Sequence, residues 1–328
     1  MAYNGQRLVF WREYNALPER CFKEKGRASM SDFRHDVRFG ANVDPTSNDP
    51  SWPLRLTHAI ERAGLEYIGI QDHPYNAGFL ETWTLIATLL QATERVHLFP
   101  NVANLPLRPP VMLAKAAATL DVLSGGRVEL GLGAGAFREG IEAMGGPGRS
   151  RGESVEALEE AVQIIHAFWS GNSALRFEGK HYNVKGTHPG PHPAHPIGLW
   201  LGTYGHRSLR LTGRLADGWL PSSSYAPPER LPEMQQRIND AALAAGRQPQ
   251  DIRRIYNVMG FITDDPVQGF LTGPVDYWVD ELTRLVTEVG MDTFIYWPAD
   301  DRLRQIERFA SEVVPAVQEQ VARTRGFS

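Results

Sequence analysis

The sequence predicts an α/β protein of the (β/α)8 barrel class. Short apolar runs of strand length alternate eight times with segments of helical periodicity between Val37 and Val321. Most of the runs are continuously apolar, as strands buried on both faces of a parallel sheet must be. Polar and glycine residues gather after five of these runs, at the strand ends where such barrels place their chemistry. The rival arrangement, a doubly wound open sheet, ordinarily has fewer strands. No repeat at the scale of roughly 20–50 residues is visible.

The elements follow in order. Strands are expected at 37–43, 67–71, 96–102, 128–133, 197–201, 218–221, 255–262 and 293–297. Helices are expected at 54–63, 82–93, 111–123, 154–169, 208–216, 229–245, 275–289 and 302–321. The fourth helix is the clearest, because Val155, Leu158, Val162, Ile165 and Phe168 recur three or four apart, opposite Glu156, Glu159 and Glu160. Pro110 stands where a first helical turn tolerates proline. Gly64, Gly125, Gly246 and Gly290 stand where helices should stop. The stretch 170–196 is an insertion between helix 4 and strand 5. It holds Phe-Glu-Gly-Lys-His-Tyr-Asn at 177–183, read as a small hairpin, and then a Pro/His-rich loop. It is expected to cross the active face as a lid or wall.

Residues 1–33 form an N-terminal extension, and 34–328 form the barrel domain. Trp11, Tyr14 and Phe22 are scattered in the extension without periodicity, and no apolar h-region marks a secretory signal. The extension is read as non-essential, with Met30 as an alternative start; an arm packed on the domain or on a second subunit is the other reading.

The chain has 328 residues, 42% hydrophobic and 22% charged, which suits a globular protein with a sizeable core. Its 34 basic and 38 acidic residues give a net charge of −4, against a strongly basic nucleic-acid binder or a membrane-surface protein. No apolar run is long enough for a transmembrane helix. The single cysteine, Cys21, excludes an intrachain disulfide and a multi-cysteine metal site, and a reducing cytoplasm is expected.

The strand ends supply the candidate chemistry. Asn42-Val-Asp44 follows strand 1, Gln71-Asp-His-Pro-Tyr75 strand 2, Asn101-Val-Ala-Asn104 strand 3, Gly133-Ala-Gly-Ala-Phe137 strand 4 and Gly202-Thr-Tyr-Gly-His-Arg207 strand 5. His73 is a candidate acid–base group, since imidazole exchanges protons near neutral pH; the alternative is that Asp72 caps the next segment and His73 packs. The 202–207 turn opens a helix whose free N–H groups and dipole suit an anion such as phosphate. Gly131-x-Gly133-x-Gly135 is weak as a dinucleotide signal, and its small residues are expected to let a flat ring lie against the strand end. His188, His192 and His195 alternate with prolines. Proline-enforced extension should splay their rings, so an ordered surface loop and no metal site is expected there. A metal-dependent barrel hydrolase lacks its His-x-His pair on strand 1.

Leu113-Ala-Lys-Ala-Ala-Ala-Thr-Leu-Asp-Val-Leu-Ser-Gly-Gly-Arg-Val-Glu-Leu-Gly-Leu-Gly-Ala-Gly135 and Leu209-Arg-Leu-Thr-Gly-Arg-Leu-Ala-Asp-Gly-Trp219 resemble the bacterial luciferase-like superfamily. The resemblance covers roughly 37–314 and implies a barrel binding a flavin or the deazaflavin coenzyme F420 at its C-terminal face. Gln71-Asp-His-Pro74 is similar to the F420-dependent branch. That resemblance places Asp72 near the ring and His73 beside the hydride-transfer position. Asn101-Val102 matches a non-prolyl cis peptide that backs the ring. Ala134 and Gly135 match strand-4 contacts to the cofactor, and Thr203, Tyr204, Gly205 and His206 match its phosphate-binding turn. Ala136 stands where sugar-phosphate dehydrogenases of the branch carry a catalytic glutamate, which argues against that chemistry. Phe137, Tyr204, Trp297 and Tyr75 favour an apolar or polycyclic substrate by analogy.

The implied activity is hydride transfer between coenzyme F420 and a small organic molecule, with His73 as proton donor or acceptor. The alternatives are a two-component FMN monooxygenase and a non-catalytic flavin- or deazaflavin-binding protein. A homodimer is expected, with a separate F420 or flavin reductase as supplier of reduced cofactor.

Overall fold

The computed structural model describes residues 32–171 and 173–326. Parallel strands β1 (Arg38–Val43), β2 (Tyr67–Ile70), β3 (His97–Pro100), β5 (Leu130–Gly133), β8 (Leu199–Leu201), β9 (Gly218–Trp219), β10 (Arg253–Ile262) and β12 (Thr293–Pro298) match the eight expected runs. They join in the order β3-β2-β1-β12-β10-β9-β8-β5, with the two-residue strand β4 (Ala103–Asn104) beyond β5 and β11 (Thr272–Gly273) beside β10. The sheet curls until its ends nearly meet. A single bridge, Leu98 to Val128, joins β3 to the segment leading into β5. Its backbone bonds run from Leu98 N–H to Arg127 O (3.0 Å) and from Glu129 N–H to Leu98 O (3.2 Å). The result is a nearly closed parallel barrel.

Ten helices surround it among the described residues. They are α1 (Trp52–Arg62), α2 (Thr82–Gln91), α3 (Pro110–Ser124), α4 (Arg138–Ala143), α5 (Arg151–Ser170), α6 (His206–Leu215), α7 (Leu231–Ala244), α8 (Val275–Arg284), α9 (Arg302–Arg308) and α10 (Val314–Thr324). The four glycines expected to end helices all have positive φ, between 71° and 83°. Helix α5 starts with a reciprocal cap between Ser150 and Glu153. The helix expected over 302–321 is broken. Pro315 in the first turn of α10 cannot donate to a preceding carbonyl, and a π-helical stretch, Phe309–Val313, takes up the mismatch.

Two layers of core hold the barrel. The larger lies between the strands and the helices, where Leu56, Leu89, Leu158, Ile165, Leu211 and Trp278 are buried. The smaller fills the interior with Tyr67, Phe99, Trp200, Leu220, Ile255 and Ile295. Phe99 and Trp200 meet edge to face at 5.0 Å between centroids, and Tyr67 meets Trp200 at 5.5 Å. The interior is therefore a packed plug, and access to the strand ends comes from outside.

The insertion departs from its expected course. Its hairpin, β6 (Leu175–Glu178) with β7 (Asn183–Thr187), stands along α5, where Glu160 accepts from the N–H groups of Lys180, His181 and Tyr182. The following loop drops to the N-terminal end of the barrel. There the Ala194 and His195 N–H groups donate to Asp121, near the end of α3. It closes the bottom rather than the active face. Asp32 holds Arg325 in a bidentate pair at 2.7 and 2.8 Å, and Phe33 lies under Arg254. The reading of residues 1–31 lies outside the described residues. Among those described, no helix is long and apolar enough to cross a membrane.

Candidate active site

Asp72 and His73 leave the C-terminal end of β2 in opposite directions. Asp72 is buried. Its Oδ2 accepts from Asn104 N–H (2.9 Å) and Arg108 Nε (3.1 Å), and its Oδ1 accepts from Arg108 Nη2 (3.0 Å). The carboxylate thus pins the turn after β3 to the end of β2. Arg108 also donates to Glu81 Oε1 at 2.5 Å, and Glu81 caps α2 through Thr84 N–H.

His73 turns outward. Its ring meets solvent yet is ringed by protein atoms, the mark of a side chain inside a cleft. Burial pushes its pKa below the ordinary histidine value, against the opposing pull of the Asp72 charge. Its Nδ1 lies 2.7 Å from Tyr75 Oη. Desolvation, helped by the Asp72 charge, pushes the Tyr75 phenol up to about 12, so it keeps its proton. Phe79 and Phe137 complete this wall, with Phe137 edge-on to Tyr75 at 5.0 Å.

The Asn101–Val102 peptide is cis, as the family resemblance implied. Asn101 Nδ2 donates to Asn42 Oδ1 (3.0 Å) and to Asn257 Oδ1 (2.6 Å), while Asn257 Nδ2 donates back to Asn101 Oδ1 (3.2 Å). Three amides from β1, β10 and the end of β3 thus satisfy one another within the barrel. Val102 projects towards β5 and β8. A Cβ on Gly133 would stand 2.5 Å from Val102 Cγ2, and one on Gly131 3.3 Å from Cγ1. The space those glycines leave is filled by Val102, not left open for a flat ring as expected.

Ala134 and Gly135 are half-buried at the end of β5, and Ala136 is exposed beside them. Thr203 is buried, its hydroxyl 2.8 Å from Thr212 Oγ1 on α6, so its side chain braces the turn. Tyr204 Oη accepts from Ser222 N–H (3.1 Å), and its ring meets Tyr225. Gly205 and His206 are exposed at the start of α6, and a Cβ on Gly205 would approach nothing nearer than Ser208 Oγ at 3.6 Å. Trp297 is half-buried near the end of β12. A separate cavity of about 500 Å3, lined by Ser223, Phe270, Tyr277 and Arg284 among others, opens beside α8 and includes none of the expected site residues. The strand ends have the stronger claim, because titratable, amide and helix-terminal groups converge there.

Sequence reasoning missed Arg108 and Asn257. A lone amide inside the apolar run 255–262 is a signal for Asn257, since a buried amide needs partners. Nothing local marks Arg108. The proline-spaced histidines do part company, with His192 Nδ1 3.2 Å from Trp169 O and His195 Nδ1 2.7 Å from Asp121 Oδ1.

The profile of the Luciferase-like monooxygenase family matches residues 33–268. The chain belongs to that family. Over 290 residues this luciferase-like chain is 30% identical to an uncharacterized protein of Mycobacterium tuberculosis, spanning 82% of this chain and 96% of that one. It is 28% identical over 241 residues to an F420-dependent glucose-6-phosphate dehydrogenase of Nakamurella multipartita, spanning 70% of this chain and 69% of that one. Its fold is similar to that of an F420-dependent secondary alcohol dehydrogenase in complex with an F420-acetone adduct, with a TM-score of 0.78 at 19% identity, covering 86% of this chain and 99% of that one.

Proposed function

We propose that this luciferase-like protein is an oxidoreductase that uses coenzyme F420 to move a hydride to or from a small organic substrate. The observation that carries the reading is His73, an enclosed but solvent-accessible imidazole at a strand end, with a protonated phenol on its Nδ1. The surroundings fit a cofactor with a flat ring and an anionic tail. Ala134 and Gly135, half-buried at the end of β5, would border the ring beside the Asn101–Val102 backbone. Gly205 and His206 offer an open helix start for a phosphate. The bound deazaflavin supplies the hydride chemistry.

The chain's own groups do the rest. His73 exchanges a proton with the substrate oxygen. The Nδ1–Tyr75 Oη contact fixes the ring's orientation and leaves Nε2 for the substrate: with Tyr75 donating, Nε2 carries the proton that a reduction needs, and with Nδ1–H donating to Oη, Nε2 accepts the proton released in an oxidation. Asp72 holds the Asn104 turn in place rather than touching the ring. Thr203 acts through the shape of its turn. Ala136 offers no carboxylate, so sugar-phosphate oxidation through a strand-end glutamate is excluded from the proposal, and the Tyr75–Phe137 wall favours an apolar carbonyl or alcohol.

The test is titration of the purified chain with F420 and with FMN, each oxidised and reduced. Tighter binding of F420 and hydride exchange without oxygen uptake support the reading. Preference for reduced FMN with substrate-dependent oxygen uptake replaces it with a monooxygenase. Tight cofactor binding without turnover across alcohols and ketones leaves a binding protein.

A further inference from the structure

We infer that the N-terminal end of the barrel carries a binding site for one divalent transition-metal ion of the zinc class, formed by His97 Nδ1, Glu129 Oε1 and His195 Nε2. The three side chains start from three places that the fold alone brings together. His97 opens β3, Glu129 precedes β5, and His195 comes from the loop before β8. The three donor atoms lie within 4.8 Å of one another. Two of the edges are short, with His97 Nδ1 3.5 Å and His195 Nε2 3.4 Å from Glu129 Oε1. Bonds of about 2.0–2.1 Å at a tetrahedral angle require donor separations of about 3.3–3.4 Å.

Every other hydrogen-bonding atom of the two better-buried members is already engaged, and this selects the donors. Asp121, fully buried, takes His195 Nδ1 at 2.7 Å, so the ring's Nδ1–H donates there and Nε2 faces the cluster, 3.4 Å from Glu129 Oε1. Glu129 Oε2 accepts Gly198 N–H at 2.6 Å and leaves Oε1 facing inward. His97 Nδ1 is a buried nitrogen with no hydrogen-bond partner. Three donor atoms thus face one another, with His195 Nε2 in hydrogen-bond reach of Glu129 Oε1 at 3.4 Å, and a cation in their midst takes the place of the proton shared there. Asp121 behind His195 is the carboxylate partner that orients metal-binding imidazoles. Two carboxylates with two neutral imidazoles offset a charge of +2. The His97 and His195 side chains remain about a quarter exposed, so the cluster lies near the surface of this end of the barrel.

The position argues for a structural role. This end of such barrels serves stability, and the cluster spans the seam that Leu98 and Val128 hold by one bridge. The histidine tract is therefore no tridentate site, but its last member belongs to one. The inference is independent of which cofactor occupies the opposite end.

Cobalt(II) titration of the chelator-stripped full chain tests it. One equivalent of Co2+ with visible ligand-field bands, displaced by Zn2+, and a higher thermal midpoint in the loaded protein are expected. His97→Ala lowers Co2+ affinity by at least about 100-fold. Its metal-free midpoint is measured alongside, because the ring also packs on Tyr67 at 5.6 Å, so loss of binding is read only in a variant that is folded. His188→Ala, on the exposed part of the loop, leaves binding unchanged. Absence of stoichiometric binding by the folded, stripped protein overturns the inference, since a proton then suffices to bridge the cluster. Undiminished binding by folded His97→Ala overturns it as well.

Discussion

His73 takes its character from its neighbours. Burial favours the neutral ring, so its folded pKa lies below the ordinary value near 6.5. The sign follows. Above the lowered pKa the ring is a base, and only below it does the ring carry a second proton. For substrate oxidation, which needs a proton acceptor, kcat/KM should hold steady across neutral pH and fall on the acid side, with its inflection below 6.5. His73→Ala should lower kcat by about 100-fold or more and abolish that acid limb, while cofactor affinity stays within a few-fold. A limb that persists in the variant assigns the titration to another group. The adjacent Asp72 differs in kind, because all its bonds run to Asn104 and Arg108.

At the scale of elements, the site depends on how the end of β3 is held. Asp72→Ala removes the acceptor for Asn104 N–H and the partner of Arg108. The expected loss is about 2–3 kcal/mol of stability, read by denaturant unfolding, together with weaker cofactor binding because the turn moves. Asp72→Asn keeps part of the bonding and should fall between the two. Val102 and β5 form the second support. Gly133→Ala places a methyl 2.5 Å from Val102 Cγ2 and should cost about 1–3 kcal/mol. Val102→Ala in the same chain should recover much of that loss. Additive losses in this double-mutant cycle would show that the two positions do not collide.

Across the whole molecule, distant strands are tied by polar groups inside an apolar frame. Asn42, Asn101 and Asn257 link β1, β10 and the end of β3. Asn257→Leu leaves Asn101 Oδ1 without its donor and Asn101 Nδ2 with Asn42 alone. It should cost about 1–3 kcal/mol and lower cofactor affinity, although residue 257 lies far along the chain from the strand-2 and strand-3 ends. Unchanged melting and binding would remove the trio from the support of the site. At the opposite end, buried Arg254 reaches Gln235, Asn239 and the carbonyl of Ile252, joining β10 to α7. One end of the barrel is thus left open for chemistry while the other is locked by ionic and polar contacts.

The eight strand–helix units and the glycines that end helices were written in the sequence, because apolar periodicity and backbone permissiveness are properties of neighbouring residues. That Asp72, His73, Asn101 and Gly205 each follow the C-terminal end of a strand was legible for the same reason, since a barrel of known phase sends each βα turn to one face. Local pattern carried no information about partners across the barrel. It did not reveal that Arg108 occupies the Asp72 carboxylate, that Val102 fills the space beside Gly133, or that the proline-rich loop runs to the bottom. Nor did it foretell that His195 meets His97 and Glu129. Those relations are set by distances through space between residues far apart in the chain, and only the closed sheet fixes those distances.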